Sequence, residues 1–169
     1  MSDTIRQQII TNIDTRLKTI LTTGGYATNL GSHVFWWKEP PFQATDLPAI
    51  NCKDRVEEIN DELKTFEADG YALAIGLELF FEGSSSIAEL RKGIADIVKA
   101  VRTDETWTNL AIRSEIGNGE IQSVQLENIE AAVLMPLIIY YRTAVGNPLA
   151  LLFFNSKHLS EMWAFKDFR

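Results

Sequence analysis

Hydrophobic residues recur along this chain with two periods, and each marks a different kind of element. Between Thr4 and about Leu21, Ile5, Ile9, Ile13, Leu17 and Ile20/Leu21 return every three or four positions, while Arg6, Gln7, Asp14 and Lys18 fall mostly elsewhere. That spacing places the apolar side chains on one stripe of an amphipathic helix. Thr4 and Gln7 have the spacing of a capping box, and Gly24-Gly25 supplies a stop. Such a stripe must be buried somewhere, so the helix is expected on the chain's own sheet; a partner's groove is the competing reading.

The period changes to two at Tyr71. Tyr71, Leu73, Ile75, Leu77, Leu79 and Phe81 share one face of a long strand, and Ala72, Ala74, Gly76, Glu78, Phe80 and Glu82 share the other. The first face is expected to be core; the second is small enough for another chain to lie close. Ser86 and Glu89 then form a Ser-x-x-Glu capping box for a helix whose stripe is Ile87, Leu90, Ile94, Ile97/Val98 and Val101. Gly93 within it costs about 1 kcal/mol of helix propensity relative to alanine, which predicts close helix–sheet contact at that point.

Shorter signals fill the remainder. His33-Val34-Phe35-Trp36-Trp37 reads as a strand, broken by Glu39-Pro40-Pro41-Phe42, and a short strand follows from Ala49 to Asp54. Residues 54–69 are rich in acid and predict a solvated, partly helical, mobile connection. Leu110 to Ile116 regains strand character before the hairpin signal Gly117-Asn118-Gly119, and strands are expected at Glu120 to Leu126 and at Ile129 to Arg142. Pro136 implies a bulge or an edge position for the last of these, making it a candidate subunit seam. Gly146-Asn147-Pro148 closes the unit. The sum is an α+β (mixed α/β) fold: a mostly antiparallel sheet of about five to six strands with two main helices packed on it. A single domain over residues 1–148 is expected, followed by an aromatic extension, 149–169, that docks on its own sheet or on a neighbouring subunit.

Composition narrows the function more than it defines it. With 169 residues, 46% hydrophobic and 23% charged, the chain suits one ordinary globular domain. A net charge of -7 and a pI near 4.9 argue against tight binding to nucleic-acid phosphates. Phe35, Trp36 and Trp37 have the rings to stack on bases but lack the basic surroundings. Cys52 has no second cysteine with which to form a disulfide. The chain opens directly on a helical pattern without a signal-peptide layout, and the longest apolar run, Ala131 to Tyr141, contains Pro136 and is shorter than the ~20 residues of a membrane span. The cytoplasm is the expected compartment.

Candidate chemistry is absent from the pattern. There is no phosphate-cradling glycine motif, no nucleophile elbow and no histidine cluster: His33 and His158 stand alone. Ser84-Ser85-Ser86 suits helix capping better than nucleophilic catalysis. The adjacent pairs Glu57/Glu58 and Asp61/Glu62 do not converge as metal ligands would. No enzyme activity, cofactor or metal is expected.

The order of segments carries more. An N-terminal amphipathic helix, GGYAT, HVFWWKEPPF, LPAINCKD, YALAIGLELFFEG, SIAELRKGIADIVKAVRTDETWTNLAI and IEAAVLMPLIIYYRTAVGNP together resemble the tail terminator or minor tail proteins of long, non-contractile-tailed bacteriophages and prophages. The resemblance covers residues 4 to about 148. It implies a mixed α/β sheet carrying helices, and a homo-oligomeric ring, typically of six subunits, that caps the finished tail tube and offers a surface for joining the head. The implied partners are the major tail tube protein and head–tail connector proteins, and the implied location is the host cytoplasm during assembly and then the virion tail. No catalytic residues carry over. The aromatic extension after Pro148 departs from the shorter family pattern. Under this reading the candidate subunit-interface residues are Glu57, Glu58, Asp61 and Glu62 in the acidic segment, which would order only on assembly; Ala131, Val133 and Met135 in the seam strand; and Phe153, Phe154, Trp163 and Phe165 in the extension. Another neck, connector or completion protein is the nearest alternative, and a small-ligand-binding or enzymatic α/β domain with a deep apolar pocket is the more distant one.

Overall fold

A computed structural model describes residues 3–40, 42–82, 86–122 and 131–152. The elements run α1 (Ile5–Leu17), β1 (Val34–Trp36), β2 (Ala49–Ile59), β3 (Ala68–Phe81), α2 (Ser86–Thr103), β4 (Arg113–Ile116), β5 (Glu120–Gln122), β6 (Ala131–Ala144) and β7 (Asn147–Leu151). One sheet contains all seven strands in the order β1-β2-β3-β6-β4, with β5 and β7 also paired to β6. Only β1 and β2 run parallel; the other pairs are antiparallel. The fold is the α+β arrangement that the two hydrophobic periods predict.

Both helices bury their stripes against one face of the sheet. Thr4 caps α1 by accepting the Gln7 N–H at 3.2 Å, and Ile5, Ile9, Ile13, Leu17 and Ile20 are buried. Leu90, Ile97, Ala100 and Val101 of α2 join them, together with Leu73, Ile75, Leu77, Leu79 and Phe81 from β3, in a single core. Burying side chains of this size contributes ~1.5–3 kcal/mol each, so this layer supplies most of the stabilisation. Gly93 is the contact point the sequence suggests: a Cβ there would lie 2.9 Å from Leu30 Cδ1 and 3.0 Å from Phe81 Cζ. Ile87, expected in the α2 stripe, is instead half exposed, and the side chain of its proposed cap Ser86 lies outside the described residues. Asp96, buried on α2, pins the preceding loop by accepting from the Ala27 and Thr28 amides and from the Thr28 hydroxyl.

Three expectations are corrected. Residues 54–69 are not a mobile connection: β2 continues to Ile59 and β3 begins at Ala68, so the two form one hairpin. Acidic side chains lower strand propensity, but here they stand at exposed positions while backbone pairing with β3 supplies the structure. Gly117-Asn118-Gly119 does not turn a hairpin. β4 and β5 both pair with β6, Ile116 opposite Leu137 and Glu120 opposite Leu134. Three residues, 117–119, therefore face only two, 135 and 136: they form a one-residue bulge in an edge strand, and glycines suit it because a Cβ on Gly117 would meet Pro136 Cγ at 2.5 Å.

The third correction concerns β6, which is internal. β3 pairs along its whole length from Ala131 to Ala144, and β7, β4 and β5 occupy its other side. Pro136 is tolerated there because it sits opposite the bulge, where its missing N–H leaves no regular ladder bond unmade; its carbonyl accepts the Gly117 N–H at 2.8 Å. The seam residues Val133 and Met135 accordingly point into the core, each 1% exposed. The hairpin at Gly146 carries the chain through Leu151 as β7, so the first residues beyond Pro148 belong to the sheet.

Candidate functional site

Beyond Cys52 the outer side of β2 is no longer flanked by β1. Positions 55–59 of β2 are exposed, and the turn that follows is tied down by its own backbone. Asn60 N–H donates to Gly70 O at 2.8 Å, Lys64 N–H to Asp61 O at 3.2 Å, and Thr65 N–H to Ala68 O at 2.9 Å. From the neighbouring strand, Arg142 Nε donates to Leu63 O at 2.6 Å and Val145 N–H to Glu67 O at 3.1 Å. Gly70 allows the turn to fold this tightly: a Cβ there would lie 2.7 Å from Asn60 O. The turn presents Phe66 with its side chain 99% exposed, and Ile59 beside it is 69% exposed. Asp61, Glu62 and Glu67 surround the tip with negative charge.

The base of this arm is held to α1 by charge. Arg6 donates to Asp54 Oδ2 at 2.7 Å and lies 3.5 Å from Glu57 Oε2. Glu57 in turn accepts the Tyr141 hydroxyl proton. Burial, and then the bond to Glu57, push the Tyr141 phenol well above its usual range, so it remains a donor. For Asp54, burial raises the pKa, but hydrogen bonds from the Trp37 indole and from Arg6 outweigh it and hold the carboxyl below its ordinary value. Trp37 adopts a left-handed backbone, φ 57°, to bring its indole N–H 2.7 Å from Asp54 Oδ1.

Beside this network lies a cleft of about 440 Å³, lined by Gln7, Ile10, Thr11, Asp14, Trp36, Trp37 and Asp54. It is the roomiest of the concavities described, yet its carboxylates and indoles are already paired within the chain. Trp36 Nε1 donates to Asp14 Oδ1 at 3.1 Å, and Lys18 and Arg6 neutralise the two carboxylates. Converging but unpaired polar groups, the mark of a preorganised ligand site, are missing from it. Among the described residues no group of His, Cys, Asp or Glu could hold a metal ion, and no helix is long and apolar enough to cross a membrane. His33 faces Pro48 O at 3.3 Å and stacks on Phe35, a structural position. Cys52 is buried, and burial pushes its thiol far above the reactive range.

The sheet face away from the helices is the second surface of note. At one end Phe42 packs on Phe80, with ring centroids 4.6 Å apart, and Phe35 and Leu47 complete a small cluster. Beyond that cluster Ala72, Ala74 and Gly76 of β3 form a shallow floor between Val56 of β2 and Leu134, Pro136 and Ile138 of β6. Val56 is 45% and Leu134 41% exposed, and no described element covers them.

The structure therefore separates the sequence-predicted interface residues. Glu57, Glu58, Asp61 and Glu62 lie together on the hairpin arm, although Glu57 is engaged within the chain. Ala131 opens β6 opposite Phe81, while Val133 and Met135 are buried. Phe153, Phe154, Trp163 and Phe165 lie outside the described residues. Sequence reasoning missed Phe66, the one aromatic residue in the acidic run; its isolation among charged neighbours was the available signal. The chain matches no known family model and no curated protein.

Proposed function

We propose that this protein is a structural assembly subunit, and specifically a ring-forming tail terminator of a long-tailed bacteriophage or prophage. Six copies would close on the finished tail tube, contact the major tail tube protein on one side and connector proteins on the other, and act first in the host cytoplasm and then in the virion tail. The observation that carries an assembly role is the hairpin tip. A phenylalanine held fully in solvent by a hydrogen-bonded turn gains nothing in the isolated chain, whereas a rigid exposed aromatic is the usual anchor of a protein interface. The resemblance in segment order specifies the kind of assembly, and the acidic net charge suits a ring through which DNA passes without being held.

Light scattering at increasing concentration, with negative-stain imaging in the presence of purified tail tubes, tests the proposal. Rings at the tube end are the expected result, and Phe66→Ser should weaken their formation by roughly 30-fold or more, the loss of an anchor worth ~2 kcal/mol. A strict monomer that leaves tube ends bare would overturn it.

A further inference from the structure

We propose that Asn118 is a site of spontaneous chemical modification, converting through a cyclic imide to aspartate and isoaspartate in the folded protein. The reaction needs the backbone N–H of the next residue as nucleophile, no side chain crowding that N–H, and neither partner held by hydrogen bonds. Of the asparagines in the chain, only Asn118 is followed by glycine. The pair stands in the bulge between β4 and β5, where residues 117–119 face only residues 135 and 136 of β6. Gly117 N–H is engaged by Pro136 O at 2.8 Å. Among the described residues, however, nothing accepts from the Gly119 N–H, and the exposed Asn118 side chain has no hydrogen-bond partner. The fold itself favours glycine at 119, because a Cβ there would stand 3.2 Å from Met135 Cγ and 3.4 Å from Ile94 Cδ1.

The other described asparagines are held or shielded. Asn51 is buried and its amide donates to Lys38 O and Glu78 Oε2. Asn12 donates to Gln8 O within α1, and Asn29 and Asn60 accept through Oδ1 from the Thr22 and Leu63 amides. Asn109 precedes Leu110, whose N–H is bonded to Trp107 O, and Asn147 precedes a proline with no N–H to attack. Asp69-Gly70 could form the same imide, but it lies in the β3–β6 ladder, and Asp69 Oδ2 accepts the Gly146 N–H at 3.3 Å.

Water is the only co-reactant. After hydroxide removes the Gly119 amide proton, the nitrogen attacks Asn118 Cγ; a C–N bond forms, the Cγ–Nδ2 bond breaks, and Nδ2 leaves as ammonia with a proton from water. Water then opens the imide at either carbonyl, giving aspartate, or isoaspartate with the main chain routed through the side-chain carbon. Nothing is oxidised or reduced. Either product adds one negative charge to a chain of net charge -7, on an edge strand that already exposes Glu115 and Glu120. Charge at an edge opposes strand addition, so the modified edge is a poorer template for another chain. The reaction proceeds in the single chain and is independent of ring formation.

Timed incubation of the full chain, folded and in urea, tests the proposal, with anion exchange and tryptic mass mapping as the readouts. In the folded protein an acidic species should accumulate, and fragment ions should place the exchange of amide NH2 for OH at residue 118, in both aspartate and isoaspartate forms. Its rate should rise up to about tenfold per pH unit, as the ionised fraction of the amide does. Gly119→Ala should slow it about tenfold, a barrier ~1.4 kcal/mol higher. Asp69 should form isoaspartate only in urea. Modification at 118 in urea but not in the folded protein, a folded-state rate no faster than at Asn109, or an unchanged rate in Gly119→Ala would each overturn the proposal. The first two comparisons use the unaltered chain, so they stand even if the variant fails to fold.

Discussion

Gly93→Ala places two effects of known sign in competition. Alanine is the better helix former, and at an unstrained helical position the exchange stabilises by about 1 kcal/mol. The new methyl, however, would stand 2.9 Å from Leu30 Cδ1, 3.0 Å from Phe81 Cζ and 3.1 Å from Phe81 Cε2. Leu30 is fully buried, whereas Phe81, 5% exposed, borders a surface concavity of about 350 Å³, so the ring has some room to yield and Leu30 has little. Overfilling a close-packed core of this kind costs about 1–3 kcal/mol. The net expectation is a loss of about 0–2 kcal/mol, lowering the urea midpoint by up to ~1 M at a slope of ~2 kcal/mol/M. Gly31→Ala is the control: there the Cβ would meet backbone atoms, Leu17 O at 2.6 Å and Lys18 O at 2.8 Å, which cannot swing aside as a side-chain tip can. It should cost more than Gly93→Ala. A Gly93→Ala protein more stable than the parent by 0.5 kcal/mol or more would show that α2 does not approach the sheet as described.

Two further outcomes follow from the hydrogen bonding. Trp107, 1% exposed, donates its indole N–H to Ser114 Oγ at 2.7 Å, and that hydroxyl donates to Glu105 O at 2.8 Å. Ser114→Ala strands both groups and should lower stability by about 1–3 kcal/mol, read as a fall in Tm of roughly 2–4 °C per kcal/mol; an unchanged Tm would mean that water replaces the hydroxyl. In acid, the folded-state pKa values of Asp54 and Asp104 lie below 3.8. For each, burial acts upward, but hydrogen bonds outweigh it: Trp37 and Arg6 on Asp54, and Thr106 and Thr108 on Asp104. A depressed carboxylate pKa gives stability that is present above the unfolded value and lost as pH falls through the folded one. Tm should therefore drop below about pH 4, and Asp54→Asn should flatten part of that drop; an identical acid profile in the variant would remove Asp54 from the account. Both carboxylates keep part of their surface in water, 17% for the Asp54 side chain and 23% for that of Asp104, so solvent screening keeps the effect modest.

Periodicity made α1, β3 and α2 legible because each buries one stripe or face against the core, and burial is what hydrophobic spacing records. The β2–β3 arm was illegible for the complementary reason: beyond Cys52 no described strand pairs with the outer side of β2, so its residues 55–59 stand exposed at an open margin and its pairing resides in the backbone. The turn after α2 was hidden in a different way. Trp107, Thr108 and Asn109 all adopt positive φ, at a cost of roughly 1–2 kcal/mol each. Asp104 offsets part of that by accepting from the Thr106 and Thr108 amides. Asp-x-Thr ahead of a tryptophan was the visible trace of this turn, but no local rule predicts three left-handed residues in succession. Of the proposed interface residues, the exposure of some was legible and the burial of others was not. Exposure on the arm followed from charge, whereas Val133 and Met135 were misplaced because proline was taken to mark an edge.

That misplacement bears on how copies of this chain would meet. If β6 were an edge, strand addition would offer a long ladder. In the fold its outer side is already divided among β7, β4 and β5, of five, four and three residues, with a bulge between the last two. The opposite margin is β1, three residues long and followed by the left-handed Trp37, and beyond Cys52 it is β2 itself, whose residues 53–59 pair only with β3 and carry the charges of Lys53, Asp54, Arg55, Glu57 and Glu58. Short, interrupted edges are the usual protection against strand pairing. An incoming strand would find about two ladder bonds at β1, each worth ~0.5–1.5 kcal/mol net, and would lose ordering entropy in making them. A single preorganised aromatic anchor is worth ~2 kcal/mol or more without reordering the turn that holds it. Under the proposed assembly role, Phe66→Ser should weaken ring formation while leaving monomer stability unchanged, because the Phe66 side chain touches nothing it would lose in the isolated chain.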